Sequence, residues 1–494
     1  MKTYSVIALI TILTASITAQ ADPAAPAAAK PNAATPKAAR PQPITVFGSI
    51  RERPEHYEYF GTKVGDGSYT FMGSLIRVGV TAKNATTEGT FEIAQPSLFG
   101  LPDDAVGGPG QGILGQGGNY FAASGHKETG IFLKQASLTF RQPGPAGRSL
   151  KLGRFEFLDG NEAAPKDPTI TWLKSNRIAQ RLIGNFGYTD IQRSYDGGTF
   201  TYAQPTVTVT GFAGVPTKGV FDLNANDNIS HVKAGYLALT PTPGKKPVDA
   251  RLFGMYYEDT RPGTTKTDNR AAAVRTADTA AIKLWTYGAD YVRVMPSAAG
   301  KTDVVLWGAA QTGKWGSLTQ QSYAGDAEIG WQPAHCHMNP WLRAGYFYSS
   351  GDGNAFDGKH GTFFPMLPTT RIYSRFPFYT ESNIRDAFAQ LILKPNSKTT
   401  LRSDLHFLSL ANQYDLWYQG GGAFEPKGNF GFAGLTSSGK SSLGSVLDLS
   451  ADYKVDKATT WTIYTAAAVP SDVIKKLYNS KTASLTYLEY SHTF

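Results

Sequence analysis

Charged side chains at alternate positions of short apolar segments are the residues whose types and spacing suggest chemistry. The basic ones include Arg77, Lys233, Arg343 and Arg402, and the acidic ones include Asp404. A wall that carries several cations together with carboxylates attracts anions weakly at many points, which permits entry without trapping. These residues therefore predict binding and passage of anions. The alternative interpretation of each is a salt bridge that stiffens the wall.

Motifs for catalysis and metal binding are not found in the sequence. There is no GxSxG, HExxH or Walker-type loop, and Ser403 and His406 would lie on opposite faces of a strand, where they cannot meet. The segment 351–368 resembles a calcium loop but lacks its closing glutamate, and the adjacent residues 335–337 (His-Cys-His) rarely converge on one ion. We therefore predict no catalytic residue, no metal site and no cofactor.

Short strands with alternating side chains are the elements that would position these charges. From Leu75 to Thr81, apolar side chains occupy one face while Arg77 lies on the other, and the same period of two recurs along the chain. The alternation predicts 18 strands, near residues 44–52, 70–82, 89–94, 131–140, 149–157, 198–203, 205–213, 229–239, 249–258, 281–293, 302–312, 321–331, 339–349, 385–394, 398–408, 443–453, 458–466 and 483–494.

The lengths of the connections distinguish a soluble sandwich from a membrane barrel. Short links such as 83–88 and 454–457 alternate with long ones such as 158–197 and 351–382. Outer-membrane barrels have short periplasmic turns and long extracellular loops. The fold class predicted is therefore all-β, a transmembrane antiparallel barrel of about 18 strands in the bacterial outer membrane, wide enough to leave an aqueous lumen.

Composition excludes other classes of protein. Of the 494 residues only 18% are charged, and the net charge is +9. A mean hydropathy of −0.27 is too low for a bundle of membrane helices, while 41% hydrophobic residues are too many for a disordered chain. Because Cys336 is the single cysteine, no internal disulfide can form. Nothing in the sequence points to nucleic acid as a partner.

Three segments are predicted along the chain. Residues 1–21 have Lys2, an apolar stretch and the A-x-A pattern at 19–21 that is typical of a signal peptide. Residues 22–43 form an Ala/Pro-rich tether, and residues 44–494 form the barrel. The last strand carries Leu488, Tyr490 and Phe494 on one face, and it resembles the strand that outer-membrane proteins present to their assembly machinery. Lipid and that machinery are thus expected partners.

Several segments resemble the bacterial alginate-export porin family over most of residues 44–494. They are LKLGRFEFLDG (150–160), RIAQRLIGNFGYTDIQRSYDG (177–197), GDGNAFDGKHGTFFPMLP (351–368) and AFAQLILKPNSKTTLRSDLHFLSL (387–410). The resemblance implies an outer-membrane barrel with an arginine-lined, electropositive path for a uronate polymer. Carried onto this chain, it implies carboxylate contacts and their acidic partners at Arg154, Arg177, Arg181, Arg193, Asp159 and Asp196.

The function expected is an outer-membrane channel for an anionic polysaccharide, an alginate-like uronate polymer or its oligomers. A guanidinium binds a sugar carboxylate in a planar fork, and repeated modest contacts let a polymer slide. Periplasmic export components would then be partners. The alternative is a general diffusion porin for small anionic solutes or sugars, and an outer-membrane enzyme is a distant third hypothesis.

Overall fold

The computed structural model describes residues 44–62, 67–103, 105, 112–142, 147–242, 247–369, 373–376, 378–419, 429–430 and 434–494. The signal peptide and the tether predicted for residues 1–43 lie outside the described residues. Elsewhere the period of two seen in the sequence corresponds to strands whose side chains point alternately to two faces.

Eighteen long strands form the wall, as the sequence predicted. They are β1 (Ile44–Glu58), β2 (Ser68–Lys83), β3 (Thr87–Phe99), β4 (Phe132–Gln142), β5 (Arg148–Phe155), β6 (Tyr195–Ala203), β7 (Val207–Pro216), β8 (Val232–Pro241), β9 (Val248–Asp259), β10 (Ile282–Ser297), β11 (Gly300–Trp315), β12 (Leu318–Pro333), β13 (Trp341–Ser349), β14 (Ile384–Leu393), β15 (Thr399–Leu410), β16 (Ser442–Lys454), β17 (Thr459–Pro470) and β18 (Ala483–Thr493).

The wall is a closed antiparallel barrel. Each strand pairs with the next, for example β11 with β12 from Gly300↔Pro333 to Trp315↔Leu318. The first strand pairs with the last, from Ser49↔Thr493 to Glu58↔Ser484. Closure removes the sheet edges, whose unpaired backbone groups could not be satisfied in lipid.

Long connections lie at one end of the barrel and short ones at the other. The long ones span 59–67, 100–131, 156–194, 217–231, 260–281, 350–383, 411–441 and 471–482, and the two-residue turn 316–317 is the short connection at that end. They contain the helices Gly115–Ser124, Pro168–Leu173 and Ala272–Ala277, the π-helix Lys174–Ile178, and short strands at Thr265–Lys266, Lys359–His360, Leu416–Tyr418, Asn429–Phe430 and Gly434–Thr436. Helix Asp472–Leu477 follows β17. Among the described residues, none of the helices is long and apolar enough to cross a membrane.

The two faces of the wall differ in polarity. On β9, Leu252 is 60% exposed and points outward, whereas the next inward side chain, Arg251, is buried. Several inward glycines lie under an aromatic ring of the neighbouring strand. A Cβ at Gly79, Gly288 or Gly345 would overlap the ring of the facing phenylalanine. These ring-on-glycine pairs let neighbouring strands interlock by shape.

Two of the long connections fold into the barrel and contact each other there. We call residues 156–194 the first inward loop and the described residues of 350–383 the second inward loop. The Leu367 amide donates to the Leu182 carbonyl at 2.8 Å, and the Gly184 amide donates to the Leu367 carbonyl at 2.8 Å. Leu182, Ile183 and Leu367 are fully buried. The middle of the barrel is therefore occupied by packed protein.

The charged interior of the barrel

The first inward loop is shaped by a capped helix that aims its basic residues at the wall. The Asp167 carboxylate accepts hydrogen bonds from the Thr169 and Ile170 amides, and Pro168 opens the helix, which is a typical N-terminal arrangement. The π-helix that follows brings Lys174 within 2.8 Å of Asp249 on β9. An ion pair thus connects the first inward loop to the wall of the barrel.

Two arginines of this loop are buried in ion pairs with β12. Arg177 Nε donates to Glu328 at 2.8 Å, and Arg181 Nη2 donates to Asp326 at 2.7 Å. Both guanidinium groups lie against the ring of Tyr373 from the second inward loop, at 4.6 and 5.0 Å. Arg177 and Arg181, predicted as substrate contacts, therefore connect two loops and the wall.

Arg343 on β13 completes this cluster from the wall itself. Its guanidinium pairs with Glu328 at 2.5 Å and with Asp303 on β11. Arg343 and Glu328 are buried. Each buried charge has an opposite charge beside it, which is the condition for keeping ions out of water.

Asp159 is paired with a residue that the sequence reasoning did not select. Arg251 on β9 lies 3.3 Å from Asp159 and 2.6 Å from Asp290, and the Ile183 amide donates to Asp159 at 2.9 Å. The expectation that Asp159 partners the arginines of the first inward loop is therefore wrong. Arg193 of that loop is also fully buried, and it donates to the Leu367 carbonyl at 3.2 Å.

Arg77 faces the interior as predicted, from the opposite side of the barrel. It donates to Glu92 at 2.7 Å and to Glu156 at 3.1 Å, and its side chain is 17% exposed. Arg51 on β1 is placed similarly: it lies 2.9 Å from Asp190 and is 15% exposed. Unlike the arginines buried under the loops, these two side chains keep some exposed surface.

Arg402 on β15 is the third partly exposed arginine of the inner wall. It is 17% exposed and donates to Asp404 at 2.6 Å, so these two inward residues form an ion pair on the inner face. On the same face, His406 is buried with Nδ1 at 3.0 Å from Asp386. Ser403 occupies the opposite face by alternation.

Two of the basic residues chosen from the sequence lie on the outer face. Lys233 is exposed, in register with Glu258 and on the face of Leu237 and Leu239, so the prediction that it faces the lumen is wrong. The inner positions of β8 are apolar, so both faces look alike in the sequence. Only the pairing of β8 with its neighbouring strands shows which of its faces points into the lumen.

Arg154 is the second outward residue. Strand β5 keeps its register through Gly153 with φ +119°, so Arg154 stays on the face of Leu150 and Leu152. Its guanidinium donates to Asp196 at 2.6 and 2.7 Å. The pairing with Asp196 matches the expectation, but its location on the outer face shows that the expected role in the lumen is wrong.

The lining is therefore charge-paired instead of a continuous electropositive surface. Sequence reasoning missed Arg51, Arg53 and Arg251. Arg53 pairs with Glu55 at 2.6 Å, two residues on and past the predicted end of the strand at residue 52. The alternation of side chains continues beyond Pro54, and this pattern could have identified Arg53 and Glu55 as inward residues.

The resemblance of segment 351–368 to a calcium loop has a local explanation. The side chains of Asp352, Asn354 and Asp357 accept hydrogen bonds from the amides of Asn354, Phe356 and Lys359 at 2.9–3.1 Å. These are Asx turns. Within the described parts of the chain, no three His, Cys, Asp or Glu side chains are grouped so that they could hold a metal ion.

Glu381 of the second inward loop titrates near neutral pH. Burial raises the pKa of its carboxyl to about 7, against the opposing effect of Arg181, which lies 3.4 Å away. Burial likewise raises the pKa of Asp159 to about 6. A carboxyl whose pKa is raised in the packed loop stabilises that loop fully when the pH is below the pKa of the same group in the released loop. This stabilisation is lost as the pH rises to the pKa in the packed loop.

We predict that opening events of the reconstituted channel become more frequent as the pH rises from about 4.5 to about 7 and then level off, because the buried Glu381 carboxyl must ionise and this loosens the second inward loop. The Glu381→Gln variant stays neutral and should remove the part of this pH dependence that comes from Glu381. Current fluctuations in planar bilayers measure the effect. The same pH dependence in wild type and Glu381→Gln would refute it.

The closed 18-strand wall, its long and short ends and its charged interior define a bacterial outer-membrane channel of the porin class. The chain belongs to the alginate export family, whose sequence profile matches residues 173–487. No curated protein sequence matches it.

Solved structures agree on the fold at low sequence identity. OpdK of Pseudomonas aeruginosa, solved with vanillate, is similar with a TM-score of 0.54 and 8% identity, over 91% of this chain and 98% of that one. OccK9 (OpdG) of the same organism gives 0.55 and 10% over the same shares. OccAB2 of Acinetobacter baumannii gives 0.54 and 9%, again over 91% and 98%.

Proposed function

We propose that this outer-membrane channel passes carboxylate-bearing saccharides, uronate chains or their oligomers, with Arg51, Arg77 and Arg402 as contacts. One observation carries the proposal: the side chains of these three inward arginines are 15–17% exposed, whereas those of Arg177 and Arg181 are at most 1% exposed. Only an exposed group can exchange its carboxylate partner for one on a passing solute. Membership in the alginate export family agrees with an acidic saccharide.

Exchange of partners would let an anion move without tight binding. Arg402 already holds a carboxylate, that of Asp404, so a uronate competes for an existing hydrogen-bond pattern. Each exchange swaps one charge-assisted contact for another of similar strength. The resulting binding is shallow, as conduction requires.

A second candidate is a diffusion porin for small anionic solutes. The observation that favours it is the packing of the two inward loops against each other through Leu182 and Leu367, which leaves less room for a polymer. A relative in fold, OpdK, was solved with the small aromatic acid vanillate.

We predict that the reconstituted channel prefers anions at low salt. The preference should weaken in high salt, because the Debye length contracts to ~3 Å at 1 M. Arg402→Gln should weaken block by uronate oligomers about tenfold, the effect of one charge-assisted hydrogen bond. Reversal potentials and single-channel block measure both.

Lys233→Gln is the matched control, because this lysine is exposed on the outer face and should change neither property. Cation preference at low salt would overturn the proposal. Block that grows with uronate chain length supports the saccharide channel, whereas equal block by vanillate and by uronates of every length supports the small-solute porin.

A further inference from the structure

A row of lysines crosses the outer face of the barrel at the end with the long loops. In backbone register, Lys233 on β8 faces Glu258 on β9, which faces Lys283 on β10, which faces Lys314 on β11. The row continues through β12 to Lys359 of the second inward loop. We call Lys233, Lys283, Lys314 and Lys359 the lysine row. All four are exposed.

The row carries unbalanced positive charge. Lys283 and Lys314 face each other on neighbouring strands, where like charges destabilise a sheet. Glu258 offsets one of them, at 3.4 Å from Lys283, and the exposed Asp357 lies near Lys359 in sequence. Four ammonium groups against two carboxylates leave an excess that an external anion would neutralise.

The height of the row in the membrane is set by the aromatic residues beside it. Two residues further along the strands, toward the middle of the membrane, Tyr256 and Trp285 pack on the outer face with ring centroids 4.8 Å apart. Trp285 also contacts Tyr287. Leu237 and Leu252 follow at 54% and 60% exposure. Aromatic belts lie at the level of the lipid headgroups, so the lysine row lies at the phosphates of the outer leaflet.

We propose that the lysine row binds the phosphate groups of an anionic glycolipid in the outer leaflet. Two facing ammonium groups at the membrane surface suit a phosphate monoester, and the aromatic rings below suit the start of its acyl chains. Phe356, three residues before Lys359, is 95% exposed and adds an apolar side chain at the end of the row. A solute inside the lumen cannot reach these residues, because they point away from it.

The test uses the full-length protein in phosphatidylcholine nanodiscs titrated with diphosphorylated lipid A. Lys283→Gln/Lys314→Gln should lower the affinity about 30-fold, from roughly fivefold per lysine at a membrane surface. Lipid A stripped of its phosphates should bind the wild type as weakly as diphosphorylated lipid A binds the variant. Native mass spectrometry counts the lipid retained.

The matched control is Lys301→Gln/Lys457→Gln, which removes two exposed lysines at the opposite end of the barrel and should retain the lipid. Heat-dependent gel migration verifies folding, and unchanged conductance separates this proposal from the channel function. Equal affinity of the two double variants, or no effect of the phosphates, would overturn it. Displacement of the lipid by millimolar inorganic phosphate, or equally by uronate chains, would overturn it in favour of those anions.

Discussion

Replacing Arg181 with alanine should release the first inward loop while the barrel stays closed. The change leaves Asp326 and Glu381 without the guanidinium that lies 2.7 and 3.4 Å from them. Breaking a buried ion pair in this way costs about 3–5 kcal/mol. The strand ladder does not involve Arg181, so heat-dependent gel migration should persist. Single-channel conductance should rise, and limited proteolysis should cut within residues 156–194.

The controls distinguish a structural arginine from a substrate contact. Arg181→Ala with Asp326→Asn should recover part of the protection, because one unpaired carboxylate is removed. Arg261→Ala removes a partly exposed guanidinium that pairs with Asp259 at the end of β9 and should have little effect. If Arg181→Ala instead changes anion selectivity while the loop stays protected, the substrate-contact role inferred from the sequence is restored.

Deleting Phe494 should lower the amount of assembled barrel severalfold. Phe494 exchanges two backbone hydrogen bonds with Gly48, at 2.9 and 3.0 Å, and its ring covers Gly48 so closely that a Cβ there would overlap it. Each hydrogen bond contributes about 1 kcal/mol, and both lie where β1 meets β18. The heat-modifiable fraction in isolated outer membranes measures assembly.

Cys336→Ser is the comparison variant, because this exposed residue lies in the turn between β12 and β13, away from the seam. It should assemble as the wild type does. An equal loss in both variants would count against a special role for the last residue of the closing strand.

The wall could be predicted from the sequence because its signal is local. Alternation within each strand located all 18 strands, and loop lengths gave the two ends. The errors fall where the local signal fails: β1 continues past Pro54, a residue usually found at strand edges, and β8 is apolar on both faces around Lys233.

The interior depended on contacts that no local pattern encodes. Arg177 and Glu328 are separated by 151 residues, and Arg181 and Asp326 by 145. The sequence identified most of these arginines as functional candidates from their type. It could not show which were buried under loops and which, like Arg402, kept an exposed surface, because burial depends on how the loops fold.

The ring-on-glycine pairs separate two properties that could otherwise conflict. The fit of a ring over a glycine sets the strand register at positions such as Phe253 on Gly288 and Phe388 on Gly345. Charge pairs line the lumen at other positions of the same strands. A slipped register would set a ring against a Cβ, so alignment does not rely on which charges line the channel. Evolution can therefore exchange lumen charges in compensating pairs, and so change the solute, while inheriting one unaltered wall.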